Sequence, residues 1–88
     1  MQQHQFEIVN NLGLHARASA LIVKTATHFC SEIRICLDGI EANGKSIMGI
    51  MMLAAAKGSR IQLTVDGSDE TKAMKVIGEL INNGFGET

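Results

Sequence analysis

The sequence predicts an α+β fold, a four-stranded antiparallel sheet with three helices layered on one face. Three observations point there. Short runs of strictly alternating apolar residues are the signature of strands buried on one side only. Between those runs the apolar spacing changes to three and four, so each helical stretch is apolar along a single stripe. There is no proline in the 88 residues, and glycines and Asn/Asp clusters mark the breaks instead. The predicted order is β-α-β-β-α-β-α.

Gln5–Val9 alternates, with Phe6 and Ile8 on one side and Glu7 on the other, and predicts the first strand. Residues 10–14 are a loop. From Ala16 the period becomes helical: Ala18, Leu21, Ile22, Thr25 and Phe29 form one stripe of a helix over about 16–27. Glu32–Leu37 alternates again, and Asp38-Gly39 is a tight-turn signal before a short strand at Ile40–Asn43. Ser46 is a good N-cap for a helix over 47–53, with Lys57-Gly58 as the expected stop. Arg60–Asp66 is a strand with Ile61, Leu63 and Val65 facing in. Ser68 or Asp69 caps the last helix, which buries Ala73, Ile77, Leu80 and Ile81 and stops at Gly84. Glu7, Arg34, Gln62 and Thr64 are expected on the bare face of the sheet.

A chain of this size forms one small domain, residues 1–88, and buries about 60–65% of the surface its unfolded form exposes. It has no room for a second cofactor domain. Eight Lys and Arg against nine Asp and Glu leave no basic footprint for nucleic acid. Three Phe with no Trp or Tyr offer few platforms for stacking bases. The polar start, Met1–Gln5, lacks a secretory pattern. The longest apolar stretch, Ile47–Ala56, is broken by Gly49 and falls well short of the ~20 residues of a membrane span. No membrane insertion is expected, and the expected location is the cytoplasm.

Cys30 and Cys36 would lie roughly 20 Å apart along an extended segment, so two free thiols are expected. His4, His28, Cys30 and Cys36 show no zinc-type spacing, and neither a metal nor another cofactor is expected. His4 is placed in a flexible start and His28 at the end of the first helix.

Gly39-Ile40-Glu41-Ala42-Asn43-Gly44-Lys45-Ser46 matches the phosphate-loop pattern G-x-x-x-x-G-K-[ST] letter for letter. Its context is wrong. Ile40–Asn43 reads as a strand inside the motif, and too little chain follows for the rest of a nucleotide-binding sheet. The segment reads as a hairpin followed by a serine-capped helix.

Gly13-Leu14-His15-Ala16-Arg17-Ala18-Ser19 is the segment with chemistry. His15 falls where loop becomes helix, so its ring is expected to be exposed. The first N–H groups of the helix, from Ala16 to Ala18, have no intrahelical partner and carry the positive end of the helix dipole. An anion on the ring would meet those donors, with the Arg17 guanidinium two residues on. With no carboxylate or metal ligand nearby in sequence, the pattern suits a phosphoryl group on nitrogen. A histidine that merely caps the helix is the alternative. Ile47, Met48 and Met51 on the short helix suggest a docking patch near Leu14, with Lys24, Lys45 and Lys57 around it. A core role for the apolar residues and a plain solvated role for the lysines are the alternatives.

The chain resembles the HPr family, the histidine-containing phosphocarriers of the bacterial phosphoenolpyruvate-dependent sugar phosphotransferase system. Gly13-Leu14-His15-Ala16-Arg17 matches the family's phosphorylation signature, and Lys45-Ser46-Ile47-Met48-Gly49 its regulatory serine segment. The resemblance covers nearly the whole chain. It implies an open-faced sandwich with sheet order 1-4-2-3. It further implies that His15 takes phosphate on Nδ1 from phosphorylated enzyme I and passes it to the IIA component of a sugar permease. Arg17 would stabilise the phosphoryl group, and Ser46 would be the target of an HPr kinase/phosphorylase. Such a protein is a stoichiometric carrier rather than an enzyme, and a monomer is expected. The nitrogen-branch relative, NPr, is the alternative reading; a regulatory module acting mainly through Ser46 is another. One departure stands out: the family usually has proline where this chain has Ala18, which restores an N–H to the first turn.

Overall fold

The computed structural model describes residues 1–87. The chain runs β1 (Gln2–Glu7), α1 (Ala16–Ala26), β2 (Glu32–Leu37), β3 (Ile40–Asn43), α2 (Ile47–Met52), β4 (Arg60–Asp66) and α3 (Glu70–Asn82), then a single 3-10 turn over Gly84–Gly86. The strands pair antiparallel in the order β1-β4-β2-β3, and the helices lie on one face. Both the fold class and the 1-4-2-3 order expected from the sequence are met.

Strand β4 is interior, paired with β1 on one side and β2 on the other: Ile61, Leu63 and Val65 are fully buried, while Gln62 and Thr64 point the other way. Its register places Phe6 opposite Ile61, Ile35 opposite Leu63 and Ile33 opposite Val65. The helices close this face with Ala18, Ile22 and Ala26 from α1, Ile50 from α2, and Ala73, Ile77 and Ile81 from α3. Each fully buried Ile or Leu contributes roughly 1.5–3 kcal/mol. On the bare face, Arg34 pairs with Glu32 beside it and with Glu41 of β3 at 3.5 Å.

Strand β1 departs from the sequence reading at both ends. It starts at Gln2, so His4 lies in the ladder opposite Leu63 rather than in a flexible start. Gln2–Gln5 carry no apolar alternation; their pairing is imposed by β4. Ile8 leaves the ladder but stays anchored, donating to Ser59 O at 2.9 Å and accepting from Gly58 N–H at 2.7 Å. Helix α2 also ends early. Ala54 turns into the left-handed region at φ 52, and Gly58 belongs to the turn before β4 rather than to a helix stop.

Asp69 is the N-cap of α3, yet its side chain makes no capping bond. The carboxylate instead accepts from Cys30 N–H at 2.8 Å, from Ser31 N–H at 3.0 Å and from the Ser31 hydroxyl. It thereby ties the start of α3 to the connection entering β2. The Ser31 hydroxyl, followed by the Cys30 amide, holds the Asp69 carboxyl below its usual pKa. Cys30 and Cys36 are free thiols. Ile40–Asn43 forms β3 within the apparent phosphate loop, so residues 39–46 are a hairpin and a helix cap.

Two outcomes follow from this packing. A Cβ on Gly78 would stand 2.7 Å from Phe6 Cζ, so α3 presses on β1 through that glycine. Gly78→Ala should destabilise the fold by about 1–3 kcal/mol in urea melts, with Phe6→Leu restoring part of the loss. A carboxyl whose folded pKa is depressed contributes stability above its unfolded pKa and loses it as pH falls through the folded one. Asp69→Asn should therefore lose stability at neutral pH, and its melting temperature should fall less steeply than wild type on acidification. Parallel thermal melts from neutral into acid solution check this.

Candidate functional site

The loop after β1 is pinned before it reaches α1. Gly13 has φ 65, and a Cβ there would lie 2.3 Å from Ala55 O, so only glycine fits. The next residue, Leu14, donates its N–H to that same carbonyl at 2.9 Å. Expected at the docking surface, Leu14 is instead only 4% exposed, because this backbone bond turns its side chain into the core. The Ser19 hydroxyl, buried, donates to Leu14 O at 3.2 Å. Leu14, immediately before His15, is thus held through both its N–H and its carbonyl.

His15 is the N-cap of α1, with extended backbone (φ -76, ψ -177). Its Nδ1 accepts from Arg17 N–H at 3.3 Å. A nitrogen that accepts a hydrogen bond carries no proton, so the neutral ring bears its proton on Nε2. Nε2 lies 2.5 Å from Glu87 Oε2. Glu87 in turn accepts at Oε1 from Asn10 Nδ2, 3.3 Å away. The hydrogen bond from His15 holds the Glu87 carboxyl below the usual carboxylate range, with smaller help from Asn10 and the Arg17 charge.

The ring was expected to be exposed; Glu87 covers it, leaving 25% of the His15 side chain and 13% of the Glu87 side chain accessible. Arg17 stands exposed beside them and lines the same open hollow of about 540 Å³, together with Asn10, Leu12 and Gly86. No acidic residue occupies the first turn of α1, and Lys24 sits in its last turn. The N-terminal end is thus left positive for an anion. Of the two alanines expected to supply N–H groups, Ala16 is exposed and Ala18 is buried in the core; the N–H that meets the ring is that of Arg17.

Glu87 and Asn10 were missed in the sequence. Seventy-two positions separate Glu87 from His15, and no local pattern spans that distance. One signal was present. Phe85 stands between two glycines beyond the helix stop, and a solvated tail has no use for an aromatic. Phe85 is buried in a left-handed conformation (φ 59), and so returns the tail to His15.

Ser46 caps α2 as expected, its Oγ accepting from Gly49 N–H at 3.1 Å. On α2, Ile47, Met48 and Met51 are exposed. Two further apolar side chains, which the sequence does not single out, are also exposed: Met52 at 78% and Leu12 at 69%. Lys24 is exposed. Lys45 Nζ donates to Phe29 O at 2.8 Å and is half-buried, while Lys57 Nζ donates to Asn11 Oδ1 at 2.9 Å. Two of the three lysines are therefore already engaged. Among the described residues no cluster of three His, Cys, Asp or Glu could hold a metal ion, and no helix is long and apolar enough to cross a membrane.

A protein-family model described as the PTS HPr component phosphorylation site matches residues 2–83. The phosphocarrier protein HPr of Neisseria meningitidis serogroup A is 53% identical over 87 residues, 99% of this chain and 98% of that protein. Among solved structures, HPr-C-His from Thermoanaerobacter tengcongensis aligns with a TM-score of 0.96 at 44% identity, covering 100% of this chain and 99% of that one. A structure described as the HPr dimer from the same organism aligns at 0.79 with 45% identity, covering 99% and 100%.

Proposed function

The chain belongs to the HPr family, the phosphocarriers of the phosphotransferase system, and from that premise we propose that His15 takes a phosphoryl group on Nδ1 from phosphorylated enzyme I and hands it to a IIA component of a sugar permease. The observation that carries this reading is the contact between Nδ1 and the Arg17 N–H. The lone pair that accepts this long hydrogen bond is the lone pair that would attack phosphorus. When the new N–P bond forms, the donor nitrogen on enzyme I takes the electron pair of the bond that breaks. The Arg17 N–H, freed from the ring, is then within reach of a phosphoryl oxygen. Helix dipole and guanidinium offset the added negative charge. The extra N–H that alanine supplies at position 18 lies in the same turn.

The role is that of a carrier rather than a catalyst with its own substrate pocket. The hollow beside His15 is open, and a partner's donor or acceptor group could reach the ring through it. Exposed Met48 and Met52 supply an adaptable surface for successive partners.

Ser46 favours a second, regulatory layer. Its hydroxyl already faces the N-terminus of α2, and a phosphate there adds about -1.5 to -2 charges without opposing the helix dipole. An HPr kinase/phosphorylase would be the agent, and the charge would repel acidic partners from the α2 surface. The serine segment favours the sugar branch over the NPr-type nitrogen branch.

Incubation with phosphoenolpyruvate and enzyme I should add one acid-labile phosphate to the wild type and none to His15→Ala. Unmodified wild type, beside an active HPr control, would overturn the carrier reading and bring forward a module acting mainly through Ser46. Ser46→Asp should slow transfer from enzyme I while leaving the melting temperature close to wild type. A large melting shift with unchanged transfer rates would remove the regulatory role.

A further inference from the structure

Imidazole has two nitrogens able to accept a phosphoryl group, and the fold treats them differently. Nδ1 faces a backbone donor, whereas Nε2 faces a carboxylate at 2.5 Å. The carboxylate is itself gripped. Asn10 is 5% exposed, and its amide nitrogen donates both to Gly13 O at 2.9 Å and to Glu87 Oε1 at 3.3 Å. Both partners are acceptors, so the amide is oriented with its nitrogen toward them. Its own oxygen, Oδ1, is buried with no hydrogen-bond partner. Leaving a buried acceptor unsatisfied is costly, and such an exception calls for a reason. Here the orientation places Asn10 Nδ2 between the loop that carries His15 and the tail that carries Glu87. Buried Phe85 anchors that tail two residues before the carboxylate.

Resting on the reading of His15 as the phosphoryl acceptor, we propose that Glu87, oriented by Asn10, is a positioning residue that reserves Nε2 and directs phosphoryl transfer to Nδ1. The carboxylate accepts the Nε2 proton and keeps it on that nitrogen, so only Nδ1 presents a lone pair. During transfer the Nδ1 lone pair forms the N–P bond and the donor's bond to phosphorus breaks toward the donor. The ring gains positive charge, and the proton on Nε2 stays between the ring and Glu87. The depressed pKa of the Glu87 carboxyl agrees with a charge kept for this purpose.

The test uses phosphoramidate, a small donor with no docking surface, whose P–N bond breaks with release of ammonia. NMR of phosphorus and of ring nitrogen identifies which nitrogen is phosphorylated. Wild type should give mainly the Nδ1 isomer. Glu87→Ala should raise the share of the Nε2 isomer several-fold. Glu87→Gln, which keeps an oxygen acceptor, should recover most of the Nδ1 preference, and Asn10→Ala should fall between. The ring-nitrogen shifts of the unmodified neutral protein should move with the same order, as a purely structural role would not require. An isomer ratio in Glu87→Ala equal to wild type overturns the proposal. If wild type ignores phosphorylated enzyme I while Glu87→Ala still shifts the isomer ratio with phosphoramidate, the carrier reading is overturned and this one is sustained.

Discussion

The two nitrogens of His15 are bound to different parts of the chain, and the rest of the site depends on that division. Nδ1 is the cap of the helix it begins, so the proposed phosphoryl acceptor also satisfies one of the four N–H groups every helix leaves open. Nε2 belongs to the far end of the chain through Glu87. A side chain with one partner can swing; one tethered at both ends of its ring has a defined plane. The sheet matters to this mainly through β4, which holds β1 on one side and β2 on the other and so fixes the loop that delivers the histidine.

Where the physics is local, the sequence could be read. Ile61, Leu63 and Val65 alternate because one side of β4 faces helices, and Ser46 precedes α2 because a hydroxyl satisfies the first turn. His15 and Arg17 could be paired because a helix start places them together. What escaped detection is decided at long range. The glutamines of β1 have no pattern of their own and become a strand only because β4 offers them an edge. Asp69 looks like a cap and is turned aside by Cys30 and Ser31, nearly forty positions away. Leu14 looks like surface beside a reactive residue, yet the Ala55 carbonyl rotates it inward. Glu87 is the extreme case, because its partner is at the other end of the chain.

The surface beside the site shows a similar economy. Ser46 is structural and chemically available at once, since an N-cap oxygen must face the helix end that an added phosphate also prefers. Helix α2 is less than two turns long and buries Ile50, leaving Met48 and Met52 without a core to fill. Unbranched side chains lose little by being exposed there, and they adapt to differently shaped partners.

The clamp of Gly13 against Ala55 has a kinetic meaning. A shuttle must leave each partner as readily as it meets it, so its complexes cannot rely on large buried areas or slow rearrangements. Because the backbone bearing the reactive ring is already in place, an encounter orders only a few side chains, and little binding energy is consumed in arranging the loop. Productive contact can then be brief. On the proposed reading, rigidity at a single glycine would let a loosely held complex transfer its group before it falls apart.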